Sequence, residues 1–552
     1  MFKFLLQAYI DRSALVGLPP LLTQQRPYHI FTTRVFLMNR RNPSSPHHIS
    51  EAKYRLFRLN AWRPAVAGLF GWLCFTFLCS LLLMRWQHKN APAHDDGHAS
   101  AVDPNPPGLW RHFSWLKLMG TPQPEAAVNQ NGLKWANLAT GPLTSLSAFR
   151  GGRNNASVPG VYPQLQVMER QFFDIVNAFP HLAQAYQIGR STSWTQPIWG
   201  IRVSSSPDID KDAPAVLFTG IHHAREPIGA FLCKAILEEL LTNYGKSARH
   251  TRLLDSLEIW LVPIVNPDGY QYIIQNQLQF PWWRKNLRDN NSDGLFDPLV
   301  DGVDLNRNYD FNWDEGGDGN PASWFFRGDS AFSEKEIQTL RDLARRENFV
   351  VGVSYHSYGE SVLYPWGNFH RAPDQELIVD IAQRCAGQIG RLSGGGSYNV
   401  LPLNGRVGQS SIWMYGELGT IDFIIETGEE YFAAPEDIPR IVKENVRGAL
   451  YLMERALCGG VSGHVRDRQT GKPIAAEVHV NGCDAAYVKC RHTDAAHGRF
   501  DRLLFPGNYT LEIRAPGYQN EIINGVQIHS DHMTVLEIAM TKQPAVTLPS
   551  TN

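Results

Sequence analysis

Hydrophobic and polar positions along the middle of the chain follow two periods that alternate from segment to segment. Short apolar runs predict strands at residues 198–203, 215–220, 258–265, 350–356 and 421–426. Apolar residues at helical spacing predict helices at 165–179, 228–243, 334–347, 375–393 and 438–457. Strands that alternate with helices are typical of α/β domains, so we expect a mixed, mostly parallel sheet flanked by helices.

The pattern changes near residue 458. Short alternating runs such as Tyr509-Thr510-Leu511-Glu512-Ile513 then follow one another, separated by turn sequences such as Pro506-Gly507-Asn508. Helical periodicity is absent from this part of the sequence. We therefore expect a small all-β sandwich at 458–541, with a disordered tail at 542–552.

An uncharged apolar stretch at residues 64–84 is long enough to cross a bilayer. Basic residues precede it, namely Lys53, Arg55, Arg58 and Arg63. The positive-inside rule then predicts a cytoplasmic N-terminal segment at 1–63, a transmembrane signal anchor at 64–84 and an extracytoplasmic remainder. Residues 85–160 are predicted to be a stalk or pro-like linker before a domain at 161–457. Secretion after signal cleavage is the alternative, and Met38 is an alternative start.

Composition narrows the possible functions. The chain has 552 residues, enough for several domains, and a formal net charge of −1. That charge argues against a nucleic-acid partner, which would need a basic face. With 43% hydrophobic and 19% charged residues, most of the chain is expected to fold.

Three side chains of metal-ligand type stand at the ends of predicted strands. His223 and Glu226 follow the strand at 215–220, and His356 ends the strand at 350–356. Sites in open α/β sheets gather at the carboxyl ends of strands. Two nitrogens and a carboxylate, with one position left for water, suit a catalytic Zn²⁺. Alone, His-x-x-Glu is more often a surface turn, so the interpretation depends on the other polar residues.

Other polar residues support a catalytic interpretation when they are taken together. Arg284 follows Trp282-Trp283, Asp304-Leu305-Asn306-Arg307 forms a polar run, and Glu426 ends an apolar strand. With the three ligand candidates, and with landmarks such as Pro263-Ile264-Val265-Asn266-Pro267-Asp268-Gly269, they resemble the zinc metallocarboxypeptidase family of the carboxypeptidase A/B type. The resemblance covers about Tyr162 to Leu457 and implies that family's α/β fold.

The resemblance implies a role for each of these residues. His223, Glu226 and His356 would hold one Zn²⁺ per chain, and Asp304 would accept a hydrogen bond from the outer ring nitrogen of His223. Glu426 would be the general base and acid, and Arg284 would stabilise the oxyanion. Substrate would be bound by Arg225, Asn306 and Arg307, of which the last two grip the terminal carboxylate of a peptide or protein.

The sequence departs from the family in the specificity pocket. The family's tyrosine about nine residues before Trp413 is missing, and Asn404 stands near that place. Ser411 takes the pocket-floor position, where it is neither the acidic residue that selects basic side chains nor a large apolar group. The resemblance therefore implies substrate contacts from Asn404 and Ser411 and a preference for neutral C-terminal residues. The region at 458–541 resembles the transthyretin-like (regulatory-like) domain that follows some of these enzymes.

These patterns predict a membrane-anchored zinc carboxypeptidase. One alternative is a carboxypeptidase that acts on diaminopimelate-type cell-wall peptides, and another is an inactive membrane-anchored binding protein of the same fold. A secondary signal is Asp289-Asn290-Asn291-Ser292-Asp293-Gly294, whose clustered oxygens suit Ca²⁺ but lack the glutamate that completes an EF-hand loop.

Overall fold

An eight-stranded mixed sheet forms the centre of the protein. The computed structural model describes residues 161–276, 282–366, 371–403 and 408–544. The strands of the central sheet are β1 (Ala183–Arg190), β2 (Pro197–Val203), β3 (Ala215–Thr219), β4 (Glu258–Val262), β5 (Val351–His356), β6 (Ser361–Tyr364), β7 (Asn399–Pro402) and β8 (Ile421–Glu426). They lie side by side in the order β1-β2-β4-β3-β5-β8-β6-β7.

The middle of this sheet is parallel and its margins are mixed. Strands β4, β3, β5 and β8 run parallel, whereas β1 pairs with β2, β2 with β4, and β6 with β8 in antiparallel fashion. Every residue of β3 and β5 is buried. Strands covered on both faces read as continuous apolar runs, which is why the sequence pattern located them. The predicted mixed α/β fold is confirmed.

Helices cover both faces of the central sheet. They are α1 (Leu165–Ala178), α2 (Ile228–Asn243), α3 (Ala248–Ser256), α4 (Pro267–Gln275), α5 (Lys335–Glu347), α6 (Gln375–Ala386), α7 (Ser410–Leu418) and α8 (Ile438–Arg455). Side chains alternate across the sheet. Val216 and Phe218 of β3 therefore join one hydrophobic cluster, with α2 and α8, while Ala215 and Leu217 join another, with α5.

Two small sheets follow α8. Their strands are β9 (Gly460–Asp467), β10 (Glu477–Val480), β11 (Arg491–His492), β12 (Arg499–Leu503), β13 (Gly507–Arg514), β14 (Glu521–Ile528) and β15 (Met533–Met540). One sheet has the order β11-β10-β13-β14 and the other β12-β9-β15. Val461 and Phe500 from the second sheet and Val478 and Leu511 from the first belong to a single buried cluster. The expected all-β region is thus present in part, as two sheets that share a core.

The predicted membrane location is corrected by the structure. In the ranges that the structure describes, no helix combines the length and the apolar character that a bilayer crossing requires. The stretch at 64–84 that motivated this prediction lies outside the described residues, as do the segments at 1–63 and 85–160. The N-terminal membrane helix and the extracytoplasmic location inferred from it, including the secreted alternative, are therefore withdrawn.

Candidate metal centre

The turn after β3 delivers His223 and Glu226 to the centre of the sheet edge. Gly220 and Gly229 let this turn and the start of α2 touch, because a Cβ on Gly220 would lie 2.6 Å from the carbonyl carbon of Gly229. Ile221 has a φ of 50°, a left-handed conformation that is unusual for a β-branched residue. Its carbonyl accepts a hydrogen bond of 2.9 Å from the Asn266 amide. Backbone contacts therefore fix the turn that carries both side chains.

His356 reaches the same point from the end of β5. Its Nδ1 lies 2.8 Å from Glu226 Oε2 and 3.0 Å from Nδ1 of His223, which itself lies 2.9 Å from that oxygen. All three side chains are buried, with exposed fractions of 1–2%. Ligand atoms of the three residues lie within 4.8 Å of one another. The structure thus brings together the three predicted ligands from two distant stretches of chain.

Outer hydrogen bonds orient both imidazoles. Nε2 of His223 lies 3.2 Å from Asp304 Oδ1, and Nε2 of His356 lies 2.9 Å from the hydroxyl of Ser354. A proton on each Nε2 satisfies these acceptors and leaves each Nδ1 with a lone pair that faces Glu226. This arrangement of a ligand, its ring and an outer acceptor is usual for metal-binding histidines.

The charges around the three residues balance locally. Burial raises the pKa of Glu226, but charge and hydrogen bonds from His223 and His356, in the form with a proton on Nδ1, outweigh that effect and hold the pKa well below its usual range. A metal ion in place of that proton would act in the same direction. The pKa of Asp304 is likewise raised by burial and held well below its usual range by Arg284 and Arg307. Both carboxylates are therefore ionised at neutral pH.

The residues present fit a zinc ion. Two imidazole nitrogens and a carboxylate oxygen are the donor set of many catalytic zinc sites. In the tautomers described above, three lone pairs face one point and repel one another. A divalent cation at that point would remove the repulsion and compensate the buried charge of Glu226.

Glu426 ends the strand next to His356. The two residues are direct partners in the parallel pairing of β5 with β8, so both project at the same sheet edge. Burial and the neighbouring Glu226 raise the pKa of Glu426 to about 8, against the lowering effect of Arg284, Arg307 and Arg225. A carboxyl group with a raised pKa is suited to accept and return a proton near neutral pH.

Four of the polar residues singled out in the sequence lie around this edge: Arg284, Asp304, Asn306 and Arg307. Arg284 donates from Nε to Asp304 Oδ2 at 2.8 Å, and its Nη1 lies 3.5 Å from Glu226 Oε1. Asn306 and Arg307 lie on the short 3₁₀ turn Leu305–Arg307. Asn306 accepts a hydrogen bond of 2.9 Å from the amide of Ser410, at the start of α7. Both Arg284 and Arg307 have their guanidinium carbons 5.6 Å from the ring centre of Phe325.

Arg225 lies further out. Its guanidinium carbon stacks 4.1 Å from the ring centre of Tyr431, and its Nη1 donates to the carbonyl of Trp282 at 3.2 Å. Ser411 is fully buried in α7 and donates to the Asp422 carboxylate of β8. Asn404 lies outside the described residues. The structure therefore places every described candidate at this sheet edge or in the elements directly beneath it.

A comparison of the sequence with protein-family models gives a match over the region that holds these residues. The model described as "Zinc carboxypeptidase" matches residues 168–448, just over half of the chain. The chain belongs to the zinc carboxypeptidase family. The predicted family is confirmed, and zinc is the metal that the family name implies for the residues His223, Glu226 and His356.

The curated relatives include proteins named carboxypeptidases and proteins named inactive metallocarboxypeptidases. Carboxypeptidase A4 of Mus musculus is 29% identical over 276 residues, which are 49% of this chain and 61% of the relative. Carboxypeptidase B of Helicoverpa zea is 31% identical over 210 residues, 38% of this chain and 47% of the relative. Inactive metallocarboxypeptidase ECM14 of Ajellomyces dermatitidis is 31% identical over 249 residues, 43% of this chain and 40% of the relative. The chain therefore spans less than two thirds of each of these relatives.

Two solved structures also align with this chain. The crystal structure of thrombin activatable fibrinolysis inhibitor aligns with a TM-score of 0.48 and 23% identity, over 53% of this chain and 73% of that one. Carboxypeptidase A from Helicoverpa armigera aligns with a TM-score of 0.48 and 22% identity, over 55% and 76%.

The calcium prediction is not supported. In the loop at 289–294, Asp289 accepts from the Gly294 amide at 2.8 Å, and Asp293 accepts from the Leu295 amide at 2.8 Å. These side chains act as turn-forming groups, and they are absent from the carboxylate, histidine and cysteine clusters found in the described part of the chain. The sequence analysis missed a second cluster of ligand-type side chains among the described residues. It is the partly exposed trio Glu477, His479 and Cys490, in and beside the small sheets.

Sequence reasoning also missed a buried chain of polar side chains behind His356. Ser354 Oγ lies 3.0 Å from Nδ1 of His222, whose Nε2 lies 2.8 Å from the Tyr309 hydroxyl. Two signals were available: His222 adjoins His223, and Ser354 precedes His356 by two residues, so both serine and histidine project from the same face of β5. These contacts connect His356 through Ser354 and His222 to the hydroxyl of Tyr309.

Proposed function

We propose that this protein is a zinc-dependent metallocarboxypeptidase that hydrolyses the C-terminal peptide bond of peptides or proteins. The observation that carries the proposal is the alignment of Glu426 with His356 at the ends of paired strands. A general base then stands beside three ligand atoms that converge within 4.8 Å. Bound zinc would supply Lewis-acid polarisation of a carbonyl and would lower the pKa of a water molecule toward neutrality.

The side chains of this protein divide the remaining work. Glu426 accepts a proton from the attacking water and then gives it to the leaving amine. Arg284, already oriented by Asp304, donates hydrogen bonds to the carbonyl oxygen as negative charge develops on it. Its pKa is raised, since Asp304 and Glu226 outweigh the lowering effect of burial, so the cation persists throughout the working pH range.

Exopeptidase action requires recognition of a free C-terminus. Arg307 offers a planar guanidinium that matches the two oxygens of a carboxylate better than a lysine would. Asn306 would hold the other side of that group, with its amide oriented by the start of α7. Arg225, stacked on Tyr431, would contact the substrate further from its end.

Replacing Glu426 by glutamine tests this proposal. The amide keeps the shape of the side chain but cannot accept the proton, so hydrolysis of blocked dipeptides should fall by about 10²–10⁴-fold. The matched control is Glu430→Gln, which changes an exposed glutamate in the loop after β8 and should leave the rate unchanged. Equal rates for Glu426→Gln and the unchanged protein would exclude a general-base role for Glu426.

An inactive binding protein is the second candidate, because some relatives are named inactive metallocarboxypeptidases. Retention of His223, Glu226, His356 and Glu426 argues for activity. Zinc content and hydrolysis measured on the same purified sample decide between the two: zinc without hydrolysis of any blocked dipeptide would favour the binding protein.

The proposal also covers domain organisation. Residues 161–457 would form the catalytic domain, and residues 458–541 would form a transthyretin-like accessory module. The change of pattern near residue 458 and the separate core of the two small sheets support this division. Limited proteolysis should cut between α8 and β9 or in the loops of the small sheets before it cuts the central sheet.

A further inference from the structure

The second cluster of ligand-type side chains lies on the outer face of the small sheets. Val478 of β10 belongs to their shared core, so its neighbours Glu477 and His479 lie on the opposite face of the strand. Val478 is opposite Arg491 in the antiparallel pairing of β10 with β11, and this register puts Cys490 opposite His479. Ligand atoms of Glu477, His479 and Cys490 lie within 4.8 Å of one another. Strand pairing therefore brings a carboxylate, an imidazole and a thiol to one place.

Hydrogen bonds orient the imidazole of this cluster. Nδ1 of His479 lies 3.2 Å from Oδ2 of Asp484, and that oxygen also accepts a hydrogen bond of 3.0 Å from the Val480 amide. Nε2 of the same ring lies 3.2 Å from Oε2 of Glu477. A proton on Nδ1 is donated to the anchored Asp484, and the lone pair on Nε2 then faces the Glu477 carboxylate. Metal-binding histidines show the same relation between ligand, ring and outer acceptor.

The arginine beside this cluster is engaged by another carboxylate. Arg514 of β13 is opposite Glu477 in the pairing with β10. Its Nε and Nη2 donate to Glu512 at 2.9 and 2.7 Å, so it acts on Glu477 only through its charge. In the ion pairs of the described residues, the partner of Glu477 is His479. With a neutral imidazole, the charge of Glu477 is thus only partly balanced, and a bound cation would complete the balance.

The donor atoms of the cluster suit zinc. Zn²⁺ accepts thiolate, imidazole and carboxylate ligands in one tetrahedral site, whereas Mg²⁺ and Ca²⁺ prefer oxygen ligands. Three protein ligands leave one position for water. The side chains of Glu477 and His479 are 48% and 22% exposed, so they are held less firmly than the ligands of the buried centre. Zinc should therefore bind here more weakly than at that centre and should be lost during purification unless it is added.

Cys490 lies between two contacts with the central domain. The Lys489 amide donates to the carbonyl of Gly416 at 2.8 Å, and Nη1 of Arg491 donates to the carbonyl of Leu418 at 2.9 Å. Both carbonyls belong to the last turn of α7. A metal ion bound to Cys490 would tie this contact segment, residues 489–491, to the neighbouring strand β10.

We propose that Glu477, His479 and Cys490 form a second zinc site, oriented by Asp484, which fastens the contact segment to β10. The site has a thiolate among its ligands, which the buried centre lacks. Its occupancy does not depend on hydrolysis, so it can be measured apart from the proposed carboxypeptidase function.

Cobalt substitution tests the proposal. Co²⁺ can replace Zn²⁺, and a thiolate ligand gives it an intense near-ultraviolet charge-transfer band, whereas the two imidazoles and the carboxylate of the buried centre give none. The full chain, stripped of metal and kept reduced with a phosphine, should bind about two Co²⁺ per chain and show this band. Cys490→Ser should bind about one Co²⁺ and lose the band, with the weaker absorption of the buried centre retained.

Matched variants separate Cys490 from the other cysteines. Cys458→Ser should keep the band, because the Cys458 thiol donates to the carbonyl of Glu454 at 3.4 Å. Cys483→Ser should keep it too, although Cys483 lies in the same connection between β10 and β11. Asp484→Asn should keep the band but weaken zinc binding at this site by about 10- to 100-fold, since the His479 ring loses its charged acceptor.

Zinc should also protect the contact segment from proteolysis. Trypsin cleaves after lysine, and the side chain of Lys489 is 61% exposed. When the buried centre is already filled, further Zn²⁺ at a concentration well above Kd should slow cleavage after Lys489 by about tenfold or more. The rate of this cleavage in Cys490→Ser should not respond to the added zinc.

The possible failures differ. The second site is overturned if the reduced protein shows no thiolate band, if the band appears only at millimolar Co²⁺, or if it survives Cys490→Ser. An imidazolium that donates to both Glu477 and Asp484 would then account for the cluster. If the band depends on Cys490 but zinc leaves cleavage after Lys489 unchanged, the fastening role is overturned. None of these results affects the peptidase proposal, which fails only on the hydrolysis measurements described above.

Discussion

Two regions of this protein bury charged side chains, and they do so in different ways. At the candidate metal centre, ligand atoms of two imidazoles and a carboxylate lie 2.8 to 3.0 Å apart and face one point. The donors beside them are Arg284 Nη1, 3.1 Å from Nδ1 of His223, and the Ser357 amide, 3.4 Å from Glu226 Oε2. At the junction of the small sheets with the central domain, Arg502 donates to Asp374 at 2.9 Å and to the carbonyl of Cys483 at 3.2 Å. Tyr415 lies beside the same aspartate, 3.2 Å away.

This contrast shows what separates a reactive cluster from a structural one. Burial is similar in both, because Arg502 and Asp374 are 6% and 9% exposed. At the junction each charge meets an opposite charge and additional hydrogen bonds, so the pair is satisfied by the protein itself. At the metal centre the acceptors outnumber the donors, and an external cation completes the arrangement.

The largest expected effect is at the metal centre itself. Glu226→Gln removes the one anionic ligand, so the zinc content of the purified protein should fall from about one per chain to near zero, and hydrolysis should fall with it. The control is Glu336→Gln, at a fully buried glutamate that accepts a hydrogen bond from Thr192. Full zinc content in Glu226→Gln would contradict the assigned ligand set.

Arg284→Gln should have the next largest effect. The variant keeps a hydrogen-bond donor but loses the charge, so kcat should fall by about 10²–10³-fold while zinc remains bound. Steady-state kinetics with metal analysis of the same sample checks this. A change in KM alone would assign Arg284 to substrate binding instead of oxyanion stabilisation.

Asp304→Asn should weaken the centre more mildly. Asp304 touches no predicted ligand atom of the metal but holds the outer nitrogen of His223 at 3.2 Å. Loss of that acceptor charge should reduce zinc affinity by about 10- to 100-fold, as measured by competition with a chelator. Unchanged affinity would show that the His223 ring is held by packing alone.

Arg502→Met should act on stability and leave catalysis intact. Removing the cation strands the buried Asp374 carboxylate, which should cost about 3–5 kcal/mol of unfolding free energy. The kcat of the folded fraction should be unchanged, as measured below the unfolding transition. A large loss of kcat would show that the small sheets support the active site directly.

The smallest effect is expected at an exposed pair. Arg249 and Glu454 bridge α3 and α8 at 2.7 Å, with side chains 43% and 42% exposed. Arg249→Gln should change the unfolding free energy by about 0–1 kcal/mol, because water already solvates both charges. Denaturant unfolding of this variant beside Arg502→Met measures how far burial amplifies the loss of one cation.

Sequence patterns located the buried elements better than the half-exposed ones. The predicted bounds of α2 (Ile228–Asn243) and β8 (Ile421–Glu426) agree with the structure. The helix predicted at 375–393 ends earlier, at Ala386, where Gly387 follows. Strands β1, β6 and β7 were not predicted. Strand β1 is mostly half-buried and does not alternate, and β6 and β7 have only four residues each, which is too short for a clear period.

Some residues of the candidate site could be proposed from the sequence, and others could not. The residues His223, Glu226 and His356 could be proposed from their positions after predicted strands and from the family resemblance. The hydrogen bond from Ser411 to Asp422 could not, because it depends on the register of β8 against β5 and on the placement of α7 beside β8. Such long-range relations are set by tertiary packing, and no local pattern of residues encodes them.

The contact between Gly220 and Gly229 restricts which substitutions this protein can accept near its candidate metal centre. The ligand pair His223 and Glu226 lies on the chain between these two glycines, so the separation of two backbones sets the position of both ligands. A methyl group on Gly220 would lie 2.6 Å from the backbone of Gly229, and one on Gly229 would lie 2.8 Å from the backbone of Gly220, so helix and strand would have to move apart. The two glycines offer no side chain to a metal or a substrate, yet their close packing sets the positions from which His223 and Glu226 would bind a cation.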